Sequence, residues 1–199
     1  MRVVVATHNA HKVAELQRIL EAFVPELELL PYDGPAPEED GDTFAANALI
    51  KARAAAAHTG LPAIADDSGI SVDVLDGAPG IHSAYYSGAR DDVANVAHLL
   101  AELGDETRRS AQFTCAAALV DPGETVDGAP YETVEVGVWP GVVALAAAGG
   151  SGFGYDPVFI PDGLAVTSAE ISAEEKNATS HRARAFAALS AVLRARSGS

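Results

Sequence analysis

The stretch whose reading decides the fold is Ala63-Ile64-Ala65-Asp66-Asp67-Ser68-Gly69. A short apolar run ends in two adjacent carboxylates. Charges are costly to desolvate unless something compensates them. Two readings stand: a tight polar turn in which Asp and Ser bond their own backbone, or the seat of a cation. Either one predicts a short buried strand at Ala63 to Ala65, a break at the aspartates, and a second strand at about Ile70 to Leu75.

The pattern outward from that stretch alternates strands with helices. Arg2 to Ala6 is β-branched and apolar and reads as a first strand. Val13, Leu16, Ile19, Leu20 and Phe23 then share one helical face, and Pro25 ends the helix. Leu27 to Leu30 reads as a strand, and PYDGPAPEEDGD as a loop. Asp42 is placed to cap a helix from Thr43 to about His58, closed by Gly60. Residues 76 to 90 read as loop and Asp91 to Leu103 as a helix. Residues 110 to 120 and 131 to 138 read as paired strands with a turn in the DPGE region. Ser172 and Glu175 fit a capping box, and a last helix runs from about Ser180 to Arg194. No internal repeat, low-complexity tail or dividing linker is present. The expectation is an α/β fold with a mixed sheet, in one domain over residues 1–199.

The totals bound the function. The chain has 199 residues, 48% apolar and 21% charged, which fits a globular protein with a real core. No apolar run approaches the roughly 18 residues that span a bilayer, and the N-terminus turns polar too soon for a secretory signal. Cys115 stands alone, so an intramolecular disulfide and a four-cysteine zinc site are excluded. A cytoplasmic location is the expectation. The net charge of −15 argues against a general nucleic-acid surface and leaves room for a small phosphorylated ligand. Against ten arginines there are only three lysines, Lys12, Lys51 and Lys176, each in a polar segment. A lysine is a compact point charge suited to phosphate oxygens.

Five segments can carry chemistry. Thr7-His8-Asn9-Ala10-His11-Lys12 leaves a strand and enters a helix. It is either an ordinary capped loop or a phosphate seat built from a helix N-terminus, Thr7, Asn9 and Lys12. Thr43, Asn47 and Lys51 are spaced four apart on one helical face, either solvated or turned to a ligand, with Glu38 and Glu39 just upstream. The Asp66-Asp67-Ser68-Gly69 run suits a hard cation such as Mg²⁺, which uses one or two carboxylates plus substrate phosphates. Gly149 to Pro157 is glycine-rich, and Phe153 or Tyr155 could stack on a base or plug the loop. Lys176, His181 and Arg182 gather donors before the last helix. No Walker A loop and no dinucleotide fingerprint occurs.

Taken together the segments resemble the inosine triphosphate pyrophosphatase family, which includes the dITP/XTP pyrophosphatases. The resemblance runs nearly end to end and rests on seven motifs in the family's order. They are Thr7-x-Asn9-x-x-Lys12; Glu39-Asp40-Gly41-x-Thr43-Phe44-x-x-Asn47-Ala48-x-x-Lys51-Ala52; Ala65 to Gly69; Gly77-Ala78-Pro79-Gly80; Trp139-Pro140-Gly141; Phe153-Gly154-Tyr155-Asp156-Pro157; and Glu175-Lys176 with Ser180-His181-Arg182. The resemblance implies two lobes around a long mixed β-sheet with a central cleft, a homodimer, and Mg²⁺-dependent hydrolysis of ITP, dITP or XTP to the monophosphate and pyrophosphate. It implies no nucleic-acid or membrane partner. It also implies that Thr7, His8, Asn9 and Lys12 hold the triphosphate with support from Lys51. Asp67 is then the general base and a metal contact, Glu39 the other carboxylate at the metal, and Ser68 a substrate contact. Phe153, Gly154, Tyr155 and Asp156 line the base pocket, and Lys176, His181 and Arg182 read the 6-keto base. Asp66 orients the turn.

One departure stands out. Where the family reads Ser-Ala-Arg, this chain has Ser83-Ala84-Tyr85, leaving Arg90 as the next cation. Two competing readings remain: a pyrophosphatase for other modified nucleotides, and a nucleotide sensor that does not hydrolyse.

Overall fold

A computed structural model describes residues 1–197. The strands are β1 (Arg2–Val5), β2 (Glu28–Pro31), β3 (Ala63–Val72), β4 (Ser110–Val126), β5 (Ala129–Val143) and β6 (Phe159–Pro161). The helices are α1 (Ala10–Phe23), α2 (Phe44–Thr59), α3 (Asp92–Leu103), α4 (Ala173–Thr179) and α5 (His181–Ser197). The sheet order is β2-β1-β3-β4-β5-β6. β1 runs parallel to β2 and to β3, and β5 is antiparallel to β6, so the sheet is mixed as expected. The chain groups into two compact units, one of residues 1–67, 115–137 and 182–199, the other of residues 68–114 and 138–181. β3, β4 and β5 contribute residues to both.

In the first unit the period-2 alternation of strand side chains builds two cores. Val3, Val5, Ile64, Cys115, Ala117 and Leu119 pack with Leu16, Ile19 and Leu20 of α1 and Phe186, Leu189 and Leu193 of α5. Val4, Ala6, Ala63, Ala65, Ala116, Ala118 and Val120 pack with Ala48, Ala52, Ala55 and Ala56 of α2. Both faces are covered, which is why these strands read as nearly continuous apolar runs. The large side chains on the first core contribute roughly 1.5–3 kcal/mol each on burial. The second unit has its own core, in which Phe113 meets Phe159 edge-to-face at 4.6 Å and Trp139 lies beside Phe159.

The structure departs from the expected elements in five places. The decisive one is β3, which is a single strand from Ala63 to Val72 and passes straight through both aspartates. Strand polarity there is tolerated because each carboxylate meets cations from other elements, as described below. The cap of α2 is Thr43 rather than Asp42, its hydroxyl accepting the Ala46 N–H at 3.1 Å; Gly60 closes the helix with φ of 68° as expected. The hairpin turn is Asp127-Gly128, not the DPGE region. Both residues have positive φ, 53° and 83°, the pattern of a two-residue turn matched to strand twist, so β4 runs six residues beyond the expected end and β5 joins it antiparallel. Finally, residues 80–85 form a 3-10 turn inside the expected loop, and β6 follows the glycine-rich segment.

Candidate active site

Period 2 sends Asp66 and Asp67 to opposite faces of β3. Asp66 lies on the α1/α5 side. Its Oδ2 accepts from Arg182 Nη2 at 3.0 Å and Nε at 3.2 Å, and pairs with Lys12 Nζ at 3.1 Å. Arg182 Nη1 in turn donates to Glu15 Oε2 at 2.8 Å. Asp66 is 3% exposed and Arg182 1%. Burial pushes the Asp66 carboxyl up, but the charges of Lys12, Arg182 and Lys51 outweigh it and hold it well below the ordinary carboxylate range. Burial lowers the Arg182 affinity for its proton, and Asp66 and Glu15 more than reverse that. Asp66 is therefore an ionised structural charge.

Asp67 lies on the α2 side. Its Oδ1 accepts from Lys51 Nζ at 3.3 Å, and the same ammonium bonds Glu39. Asp67 is half-buried. Burial raises its pKa, Lys51 and Lys12 oppose that, Glu39 and Asp66 reinforce it, and the net shift is upward. Burial disfavours charged Lys51, and Asp67, Asp66 and Glu39 together overcome it, so Lys51 stays protonated. The local sequence fixes this arrangement. Asn47 Oδ1 accepts the Gly41 N–H at 2.9 Å and so draws the acidic loop back over the first turn of α2. Gly41 is required there, since a Cβ would lie 2.7 Å from both the Ala46 Cβ and Asn47 Oδ1. One turn beyond Asn47, Lys51 meets Glu39. Thr43 is taken up by capping, so the expected Thr-Asn-Lys face is divided among three separate tasks.

The loop entering α1 is a capped helix entry, as the first of its two readings expected. Asn9 Oδ1 accepts the Lys12 N–H at 3.3 Å and Thr7 Oγ1 accepts the Asn9 N–H at 3.1 Å, so both side chains cap the helix entry. His8 is exposed, with Nε2 on the Gly34 carbonyl at 3.1 Å. Lys12 carries its charge to Asp66. Ser68 is half-buried on β3.

In the second unit, Phe153 is half-buried, with Lys176 Nζ 5.2 Å from its ring centroid. Asp156 is 2% exposed and organises this corner. Its Oδ2 accepts from Lys176 and from the Phe153 N–H at 2.9 Å, and its Oδ1 accepts from Ser168 Oγ at 2.8 Å. The Gly154 N–H donates to Asp92 Oδ2 at 2.7 Å. Tyr155 sits in the core, its hydroxyl donating to the Ser83 carbonyl at 2.9 Å. Of the two candidate stacking rings, Phe153 is thus the one outside the core. His181 stacks on Phe113 at 4.7 Å and 11°, near Trp139.

Lys176, His181 and Arg182, expected to share one task, are divided. Lys176 and His181 belong to this corner, while the buried Arg182 guanidinium is engaged by Asp66 and Glu15 in the first unit. Tyr85, standing where the resemblance expects arginine, is 43% exposed and bonds His82 Nδ1 at 2.9 Å, and Arg90 is exposed. Sequence reasoning missed Glu15 and Asp92. Glu15 is three residues after Lys12, the only local hint that it belongs with that charge; nothing local marks Asp92.

Among the described residues no three His, Cys, Asp or Glu side chains gather to hold a metal ion. Two carboxylates, Glu39 and Asp67, do converge on one ammonium. A pair of hard oxygen donors fits an ion that takes its remaining ligands from water and substrate phosphates.

The sequence model of the Ham1 family matches residues 3–192. The chain belongs to the Ham1 family. A relative from Leifsonia xyli subsp. xyli named dITP/XTP pyrophosphatase is 57% identical, covering 98% of this chain and 96% of its own. A second of that name, from Frankia alni, is 52% identical over 98% of each chain. A solved Ham1 protein from Coxiella burnetii superposes with a TM-score of 0.86 at 41% identity, covering 98% of both chains. This Ham1 chain therefore matches its relatives over nearly their full lengths, as the order of its seven motifs led one to expect.

Proposed function

We propose that this Ham1 chain hydrolyses ITP, dITP and XTP to the nucleoside monophosphate and pyrophosphate, removing deaminated purine nucleotides before polymerases use them. The observation that carries the reading is the position of Asp67, a half-buried carboxylate 3.3 Å from the Lys51 ammonium that it shares with Glu39. A base works best when its pKa is drawn toward the working pH. Asp67 takes the proton of a water whose oxygen bonds to the α-phosphorus. The bond from that phosphorus to the bridging oxygen breaks, and pyrophosphate carries away the electron pair. Lys12 and Lys51 offset the charge of the phosphates, and Thr7, His8, Asn9 and Ser68 supply hydrogen bonds. Glu39 and Asp67 would hold Mg²⁺, which would add to the charge neutralisation that phosphoryl transfer needs more than covalent help.

At the base, Phe153 stacks, Gly154 and Asp156 shape the loop, and Tyr155 supports it from the core. Lys176 and His181 donate toward a 6-keto oxygen. An adenine amino group would leave such donors unpaired, which gives strong rejection. Arg182 is held by Asp66 and Glu15. We take residues 1–199 as one catalytic domain, acting on small nucleotides rather than nucleic acid or membrane, as a cytoplasmic homodimer. A net charge of −15 supports the first point, and among the described residues no helix is long and apolar enough to cross a membrane.

The test is to incubate the purified protein with Mg²⁺ and ITP, XTP, ATP, GTP or dTTP separately and measure pyrophosphate against orthophosphate. Pyrophosphate from ITP and XTP, with little from ATP and GTP, is expected. Preference for dTTP would redirect the reading to other nucleotides. Binding without turnover would make the chain a sensor.

A further inference from the structure

Phe153 sits between two glycines, Gly152 and Gly154, both with left-handed backbone at φ of 78° and 61°. Such residues are conformationally permissive, so the chain on either side of Phe153 does little to fix its ring. Two consecutive peptide N–H groups do. The Phe153 N–H ends on Asp156 Oδ2 at 2.9 Å, and the Gly154 N–H ends on Asp92 Oδ2 at 2.7 Å. The peptide groups on both sides of Phe153 are thus held by carboxylates. Asp156 is itself fixed by Lys176 and Ser168. Asp92 comes from the first residue of α3, 62 positions away in the chain. It is not needed to cap that helix, because Asp91 Oδ1 accepts the Ala94 N–H at 2.9 Å.

We propose that Asp92 is a positioning residue for base recognition, holding the Gly154 peptide so that the Phe153 ring is preset under Lys176. It acts through the loop and does not touch substrate. The inference rests on the reading of Phe153 as the stacking ring. Its energetic logic is preorganisation: a loop ordered before binding does not have to be ordered by the base. The loss should therefore fall on KM for the whole nucleotide and spare the chemical step, which belongs to Asp67 and Lys51.

The experiment is steady-state hydrolysis of ITP with Mg²⁺ by the wild type, Asp92→Ala, Asp92→Asn and Asp92→Ser, with inhibition by pyrophosphate and thermal unfolding measured alongside. Asp92→Ala should raise KM roughly threefold to tenfold, within the net range of one ordinary hydrogen bond, with kcat within about twofold. Asp92→Ser, which keeps a helix-start residue too short to reach Gly154, should behave alike. Asp92→Asn, whose amide oxygen can accept the same N–H, should restore KM. Inhibition by pyrophosphate, which has no base, should be the same in all four. An unchanged KM in the Ala and Ser variants overturns the proposal, as does an equal rise in the Asn variant. Weakened pyrophosphate inhibition in the Ala and Ser variants also overturns it, since that would reveal a general disturbance. Wild-type protein that does not turn over ITP fails the functional reading itself, and the proposal with it.

Discussion

Asp66 shares one oxygen with Lys12 and Arg182 and is 3% exposed, whereas Asp67, the next residue, meets Lys51 at 3.3 Å and remains half-buried. The two are chemically identical and covalently adjacent. The strand's alternation gives one to α1 and α5 and the other to α2. The first is surrounded by more positive charge than burial can offset, and its proton affinity falls. The second is half-buried with one ammonium shared between itself and Glu39, and its proton affinity rises. Environment alone divides a dipeptide into a structural charge and a candidate base, the same logic by which paired carboxylates take different roles elsewhere.

The largest effect expected from breaking this division lies on the Asp66 side. Asp66→Ala leaves the buried Arg182 and the half-buried Lys12 without that carboxylate and should destabilise the fold by about 3–5 kcal/mol, read by denaturant unfolding. The pH dependence sharpens the point. Because the folded pKa of Asp66 is depressed, its stabilisation is fully present above the ordinary carboxylate value and is lost as pH falls below it. Unfolding free energy should therefore hold nearly level in this respect from pH 7 to about 4 and fall between about pH 4 and 2, more in the wild type than in Asp66→Asn. Equal slopes would deny the charge its role.

Next is Asp67→Asn, which should lower kcat for ITP at least ~100-fold while leaving stability within about 1 kcal/mol of the wild type. A raised folded pKa means that ionised Asp67 does not favour folding at neutral pH, so its removal has little to take away. A large stability loss with retained turnover would reverse the two roles. The smallest effect is Glu39→Gln. Glu39 is exposed, so unfolding should hardly change, but the Mg²⁺ concentration for half-maximal rate should rise roughly threefold to tenfold. No change in that titration would remove Glu39 from the metal.

Much of this was legible in the sequence for physical reasons. The apolar spacing of α1, the Gly60 terminus of α2, the Asp91 start of α3 and the Ser172 cap of α4 are local signals, and local hydrogen bonds realise them. The continuity of β3 was not legible. Two aspartates in a strand look like a turn until Lys12, Lys51 and Arg182 arrive from three helices to compensate them. The hairpin tip was misplaced because Pro122-Gly123 carries turn composition, while Asp127-Gly128 carries the two positive φ values. Among the site residues, the Lys51, Glu39 and Asp67 group came from motif and structure alike. The division of Lys176 and His181 from Arg182 came only from the contacts, since adjacent positions in a sequence do not reveal which carboxylate each will meet.

The central claim is that Asp67 directs water to the α-phosphorus, and hydrolysis of ITP in ¹⁸O-labelled water tests it most directly. Attack at that atom places one labelled oxygen in IMP and none in the released pyrophosphate, which is the predicted result. Label in the pyrophosphate, or release of orthophosphate in its place, would put the attack at another phosphorus and contradict the account.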